Sequence, residues 1–127
     1  MIPSTSELYR AGPDLRKVLT KATFRVAQQL GLNQTELGAV LGMDRSSVSR
    51  LKTNAGLDPQ TKEGELALLL FRLGRELSSL TDADPAWIQH FMRTANKETN
   101  GVPAEQIKTI IGLVSVLRFV DAIRAKI

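Results

Sequence analysis

Residues 33–50 read NQTELGAVLGMDRSSVSR, and the glycine at position 42 limits what such a stretch can become. Glycine alone turns a chain through positive φ without steric cost, so Gly42 predicts the end of one helix and a sharp change of direction. Asn33 caps the helix before the turn, and Leu37, Val40 and Leu41 are its inward positions. Asp44 caps a second helix reaching about residue 53, with Val48 and Leu51 inward. Gly38 lets the two helices come close, and Met43 adds an apolar peg between them. The expectation is a tight helix-turn-helix.

The flanking sequence continues in helical periods. Residues 1–12 hold Pro3, Ser4, Thr5, Ser6 and Gly12 and read as a loose arm. Leu15, Val18, Leu19, Ala22, Val26 and Leu30 then fall at helical spacing between Pro13 and Gly31. Asn54, Gly56, Asp58 and Pro59 form a break and a domain boundary, which divides the chain into 1–12, 13–58 and 59–127. A long helix is expected over 61–80. Its Leu66, Leu70, Leu73, Leu77 and Leu80 make a seam-like stripe that fits packing within the chain or a homodimer. Asp84-Pro85 restarts the helix, with Trp87, Ile88, Phe91 and Met92 on its apolar face and Trp87 read as core. A polar loop over 95–102 and a short turn of helix over 103–108 lead to Thr109. That residue caps a final helix to 126, lined by Leu113, Val116, Leu117, Val120 and Ile123. Nothing alternates with strand period, so the chain reads as all-α.

Composition excludes several chemistries. The 127 residues contain no cysteine, so no disulfide scaffold, thiolate metal site or Cys nucleophile is available. His90 is the only histidine and has no partner at metal-ligand spacing. Asp82 and Asp84 are explained by capping, and Asn100-Gly101 is a turn rather than a phosphate loop. No enzyme, metal or cofactor is expected. The opening residues lack a basic segment and an apolar run, and the longest apolar run, 66–71, is too short to span a bilayer, so a cytoplasmic protein is expected. The formal charge is +4. Residues 13–58 carry seven Lys and Arg against four acids, so most of the excess lies with the helix-turn-helix, which suits a polyanion such as DNA.

The second helix of the pair supplies matching side chains. Arg45, Ser46 and Ser47 occupy its first turn, and Ser49, Arg50, Lys52 and Thr53 flank it with no acid among them. Arg45 is the candidate for a base edge, Ser46 for a base or a phosphate, and Arg50 and Lys52 for phosphates. Gln34 and Thr35, opening the preceding helix, are candidates for phosphate contact through its exposed N–H groups. A plain helical hairpin with a solvated polar face is the competing reading. The run Gln34-Thr35-Glu36-Leu37-Gly38, then Leu41-Gly42-Met43, then Ser47-Val48-Ser49-Arg50 resembles the Xre/Cro-type helix-turn-helix family. That resemblance implies operator DNA, and because a small module makes few base contacts, useful specificity suggests a homodimer on a two-fold site.

The second half is similar to the toxin-binding domain shared by Xre, MbcA and ParS antitoxins. The similarity rests on Trp87, the loop with Asn96 and Asn100-Gly101, Pro103, and the run Thr109-x-x-Gly112-x-x-x-Val116. It implies an antitoxin whose partner is a NAD-consuming RES-domain toxin. It further implies that Arg118, Asp121, Arg124, Lys126 and the Ile127 carboxylate enter the toxin's active-site cleft. Cations near a helix C-terminus also simply favour its dipole. The chain departs from the family pattern at Ile110 and Ile111, where acids are common. That apolar pair is expected either to be buried or to form an apolar contact. Two other readings stay open: a stand-alone regulator whose second half only dimerises, and an interaction module that no longer binds DNA.

Overall fold

The structure is a computed structural model that describes residues 13–126; the arm over 1–12 and Ile127 lie outside the described residues. Seven helices follow in order among these: α1 (Pro13–Gln29), α2 (Gln34–Leu41), α3 (Arg45–Arg50), α4 (Lys62–Thr81), α5 (Pro85–Arg93), α6 (Pro103–Gln106) and α7 (Ile110–Ala125). The described residues contain no strand, only an isolated antiparallel bridge between Asn96 and Gly101. The fold is all-α, as the periodicity predicts. No helix among the described residues is long and apolar enough to cross a membrane.

Local chemistry sets the helix starts. Asn33, Asp44, Thr61, Asp84 and Thr109 each accept a backbone N–H in the first turn of the helix they precede, satisfying donors that have no intrahelical partner. The helix C-terminal to Asp44 is shorter than its sequence suggests. It closes at Arg50, and the N–H groups of Leu51 and Thr53 donate three residues back, to Val48 and Arg50, so the chain tightens into turns before Lys52 and Thr53. At the far end of α4, Asp82 and Ala83 both take left-handed backbone (φ 53° and 61°), and this corner directs α5 back across the bundle.

α4 is the centre of the molecule. It packs against α1 and α2 on one side, and against α7 and α5 elsewhere. Leu70, Leu73 and Leu77 have no exposed surface, and Ala67 joins them. The leucine stripe is therefore filled from within the chain, with Leu66 and Leu80 half-buried at its ends. One apolar core runs from Leu19 and Leu30 through Leu37, Leu41 and Val48 to Ile88, Met92, Leu113, Val116 and Val120. Two apolar side chains on the long helices are exposed instead. Val18 is 62% exposed on α1, and Leu68 is 46% exposed on α4.

α1 and α4 cross at Gly74. A Cβ there would clash with Val26 Cγ2 and lie 3.0 Å from the Gln29 side-chain oxygen, so only glycine permits this approach. Beside the crossing, the Gln29 side-chain amide donates to the Ser78 hydroxyl. Gly74→Ala is expected to destabilise the fold by about 1–3 kcal/mol, as overpacking of a close-packed contact does. Because the clash is with one methyl, Gly74→Ala combined with Val26→Ala should cost less than the two single changes summed. Urea denaturation of the four variants measures this coupling.

Candidate functional site

Two regions carry the polar chemistry. The first is the α2–α3 pair. Gly42 sits in left-handed backbone (φ 74°), and its N–H donates to the Gly38 carbonyl, closing α2. Gly38 lies beneath the turn, where a Cβ would collide with the Met43 carbonyl oxygen and press on Val48 Cγ2 at 3.3 Å. Leu37, Leu41, Val48 and Leu51 fill the space between the helices, each at most 5% exposed. The angle between α2 and α3 is thus held by backbone contact and a packed apolar seam.

With Val48 inward, Arg45, Ser46, Ser49 and Arg50 are exposed together on the other side of α3. Asp44 Oδ1 accepts the Ser47 N–H at 2.7 Å, and this bond holds the Asp44 carboxyl below its ordinary range. The Ser47 hydroxyl is half-buried and accepts from the Arg50 guanidinium at 3.1 Å, so Ser47 orients Arg50 rather than standing free. Lys52 lies beyond the helix, exposed, with its ammonium 4.7 Å from the centre of the Phe24 ring. Thr35 is exposed and Gln34 half-buried at the start of α2. The structure therefore brings all eight predicted positions to the two helices and the turn that follows them.

The start of α2 is held by a residue far away in sequence. Asn33 and Glu36 form a reciprocal capping box, with bonds of 2.8 and 3.0 Å. Arg93, in the last turn of α5, then grips Glu36 with both terminal nitrogens, at 2.6 and 2.8 Å, and donates to the Gly31 carbonyl at 2.5 Å. Glu36 is an acid in the first turn of α2. The Arg93 guanidinium cancels that charge.

The other exposed groups lie on α5 and on α7. Ile110 is 62% and Ile111 81% exposed, so the burial alternative for this pair is overturned: the first turn of α7 projects beyond α6 into solvent. Trp87, expected in the core, is 43% exposed. Ile88 and Met92 take the inward face of the short helix, which leaves Trp87 on its flank, stacked on Phe91 at 5.6 Å between ring centroids. Phe91 in turn lies parallel to Phe119 at 6.2 Å. The charged candidates on α7 divide. Arg118 and Lys126 are exposed. Asp121 pairs with Arg72 of α4 at 2.7 Å, and Arg124 lies 3.8 Å from Glu76. Glu76 is 8% exposed with one unpartnered oxygen; burial, and then the neighbouring Asp121, push its carboxyl upward. Ile127 lies outside the described residues. No group of three or more His, Cys, Asp or Glu side chains placed to hold a metal occurs among the described residues.

The family comparison divides the chain at nearly the same place as the two regions. Residues 10–72 match the antitoxin Xre-like helix-turn-helix domain, and residues 77–126 match the antitoxin Xre/MbcA/ParS C-terminal toxin-binding domain. The chain belongs to the Xre-type antitoxins. No curated protein matches it. The antitoxin's helix-turn-helix match ends within α4, and the toxin-binding match covers α5, α6 and α7, including Trp87 and the Ile110–Ile111 pair. The sequence offered signals for some of what was missed: Trp87 stands one position off the Ile88–Phe91–Met92 spacing. It offered none for Arg93, whose partner is 57 residues away.

The Arg93 contact makes the antitoxin's stability depend on pH. Its hydrogen bonds to Glu36 hold that carboxyl at about 2 instead of 4.5. A depressed carboxyl contributes its stability in full above the unfolded value and loses it as pH falls through the folded one. Thermal melts between pH 7 and 2.5 should therefore show wild type losing about 1 kcal/mol more than Glu36→Gln below pH 4.5, the figure being reduced for the solvent-exposed guanidinium. Glutamine still closes the capping box, so the difference isolates the ion pair. Glu76, shifted the other way, is common to both proteins and cancels.

Proposed function

We propose that this antitoxin neutralises a RES-type, NAD-degrading toxin by covering its active site, and that it represses its own operon through the α2–α3 pair. The toxin-binding match carries the first part, since it coincides with exposed apolar side chains on the same helices. Exposed isoleucines and a tryptophan suit the desolvated centre of a protein interface, where aromatic anchors dominate affinity. Arg118 and Lys126 are the groups offered to the toxin's cleft, with Ile127 beside Lys126 in sequence, while Asp121 and Arg124 brace α7 on α4. Inhibition is then steric: an occupied cleft admits no dinucleotide.

On the DNA side, Arg45 reads a base edge, Ser46 and Ser49 lie beside it, and Arg50, held by Ser47, contacts a phosphate with Lys52. Gln34 and Thr35 offer the amides of α2 to a second phosphate. Two copies bind a two-fold operator. Their contact uses the exposed Val18 and Leu68, since the leucine stripe is spent on the chain's own core. We assign 13–58 to reading DNA and 59–127 to the partner, in a cytoplasmic protein without catalytic activity.

Co-expression with the product of the neighbouring reading frame, followed by mass measurement of the purified complex, tests the toxin arm. A stable complex with an inactive NAD-consuming enzyme is expected, and Ile111→Asp should weaken it tenfold or more. A free antitoxin beside a fully active enzyme would end this reading. For the DNA arm, Arg45→Ala with Arg50→Ala should weaken binding to the segment upstream of the gene by about 10- to 100-fold at moderate salt. Unchanged retardation in a gel would remove α3 from the groove.

A further inference from the structure

We infer that α1 carries a second phosphate-binding element, a lysine ridge of Lys17 and Lys21 that joins Lys52 and extends the footprint on duplex DNA beyond the helix-turn-helix. The inference rests on the DNA-binding reading above and adds two residues to it. Lys17, Lys21 and Lys52 surround one open depression of about 360 Å³ between α1 and the turn after α3, with Phe24, Thr20 and Asn54 also in its lining. No acid lines it. The nearest acid in the following loop, Asp58, is already paired with Arg16 at 2.8 Å. All three lysines are exposed, and none is paired with a carboxylate among the described residues.

Fixed geometry distinguishes this ridge from a solvated charged face. The loop following α3 is fastened to α1: the Leu57 N–H donates to the Thr20 hydroxyl at 2.8 Å, and that hydroxyl donates to the Arg16 carbonyl at 2.7 Å. The Arg16–Asp58 pair lies on the same seam. Lys52 is drawn over the Phe24 ring of α1 from the other side. The helix bearing Lys17 and Lys21 is therefore fastened to the segment that leaves α3. Lys17 and Lys21 stand one helical turn apart on a common face, where both reach the same strand. The partner chemistry is a run of backbone phosphates, which needs unpaired cations and no base recognition.

Fluorescence anisotropy of the full chain decides the matter, using a short mixed-sequence duplex and the segment upstream of the gene across a salt series. Wild type, Lys17→Gln/Lys21→Gln and Arg45→Ala are compared. Losing two phosphate contacts should make the slope of log affinity against log salt shallower by about 1.8. The double-lysine variant should weaken both duplexes equally and melt at the wild-type temperature. Arg45→Ala should instead reduce the preference for the upstream segment. A wild-type slope that survives in the double variant overturns the ridge alone, whereas a wild-type chain that binds neither duplex at low salt overturns the DNA reading with it. An unchanged slope together with release of a co-expressed toxin would assign the lysines to a protein partner and end the proposal.

Discussion

The burial of one side of α4 is the condition on which the other features rest. Leu70, Leu73 and Leu77 are removed from water completely, each contributing about 1.5–3 kcal/mol relative to an exposed position. They do so against elements from both family matches, α1 and α2 before them and α5 and α7 after. The helix-turn-helix has no comparable support of its own, since α2 and α3 are eight and six residues long. Isolated helices of that length are marginal in water, so α2 exists because α4 offers its apolar face a place to pack, and α3 because α2 does.

On that support, short-range polar bonds decide where side chains point. Asp44 fixes the first turn of α3, Ser47 then aims Arg50, and the Asn33–Glu36 box fixes the start of α2. Glu36 would be a liability near phosphates without a counter-charge, and Arg93 supplies one from α5. The tail of α7 shows the same economy. Asp121 and Arg124 are engaged with Arg72 and Glu76 on α4, so the helix is braced along one side, while Arg118 and Lys126 stay exposed.

What the sequence made legible was local. The N-caps read from it, Asn33, Asp44, Asp84 and Thr109, cap in the structure, because a cap needs only its own first turn, whereas Asp82 ends α4 in left-handed backbone instead. Gly38 and Gly42 were equally plain, since their roles depend on neighbours a few residues away. Tertiary competition set the rest. Val18 keeps the period of α1 yet stays exposed, because α4 crosses further along, at Gly74. Trp87 lost its place inside to Ile88 and Met92. The polar positions of α3 were legible as exposed, but the bond between Ser47 and Arg50 was not. Nor were the pairs joining Arg72 to Asp121 and Arg93 to Glu36, which no periodicity records.

Arg93 joins the two halves of the fold at a single point. Its guanidinium bonds Glu36 and the Gly31 carbonyl, so the helix bearing Trp87 is tied directly to the start of α2 and its first-turn amides. Any molecule that shifts α5 on docking must strain or release those amides. Thermodynamic reciprocity then applies: whatever factor such docking imposes on an anion at α2, that anion imposes on the docking in return. That exchange would run through a single guanidinium.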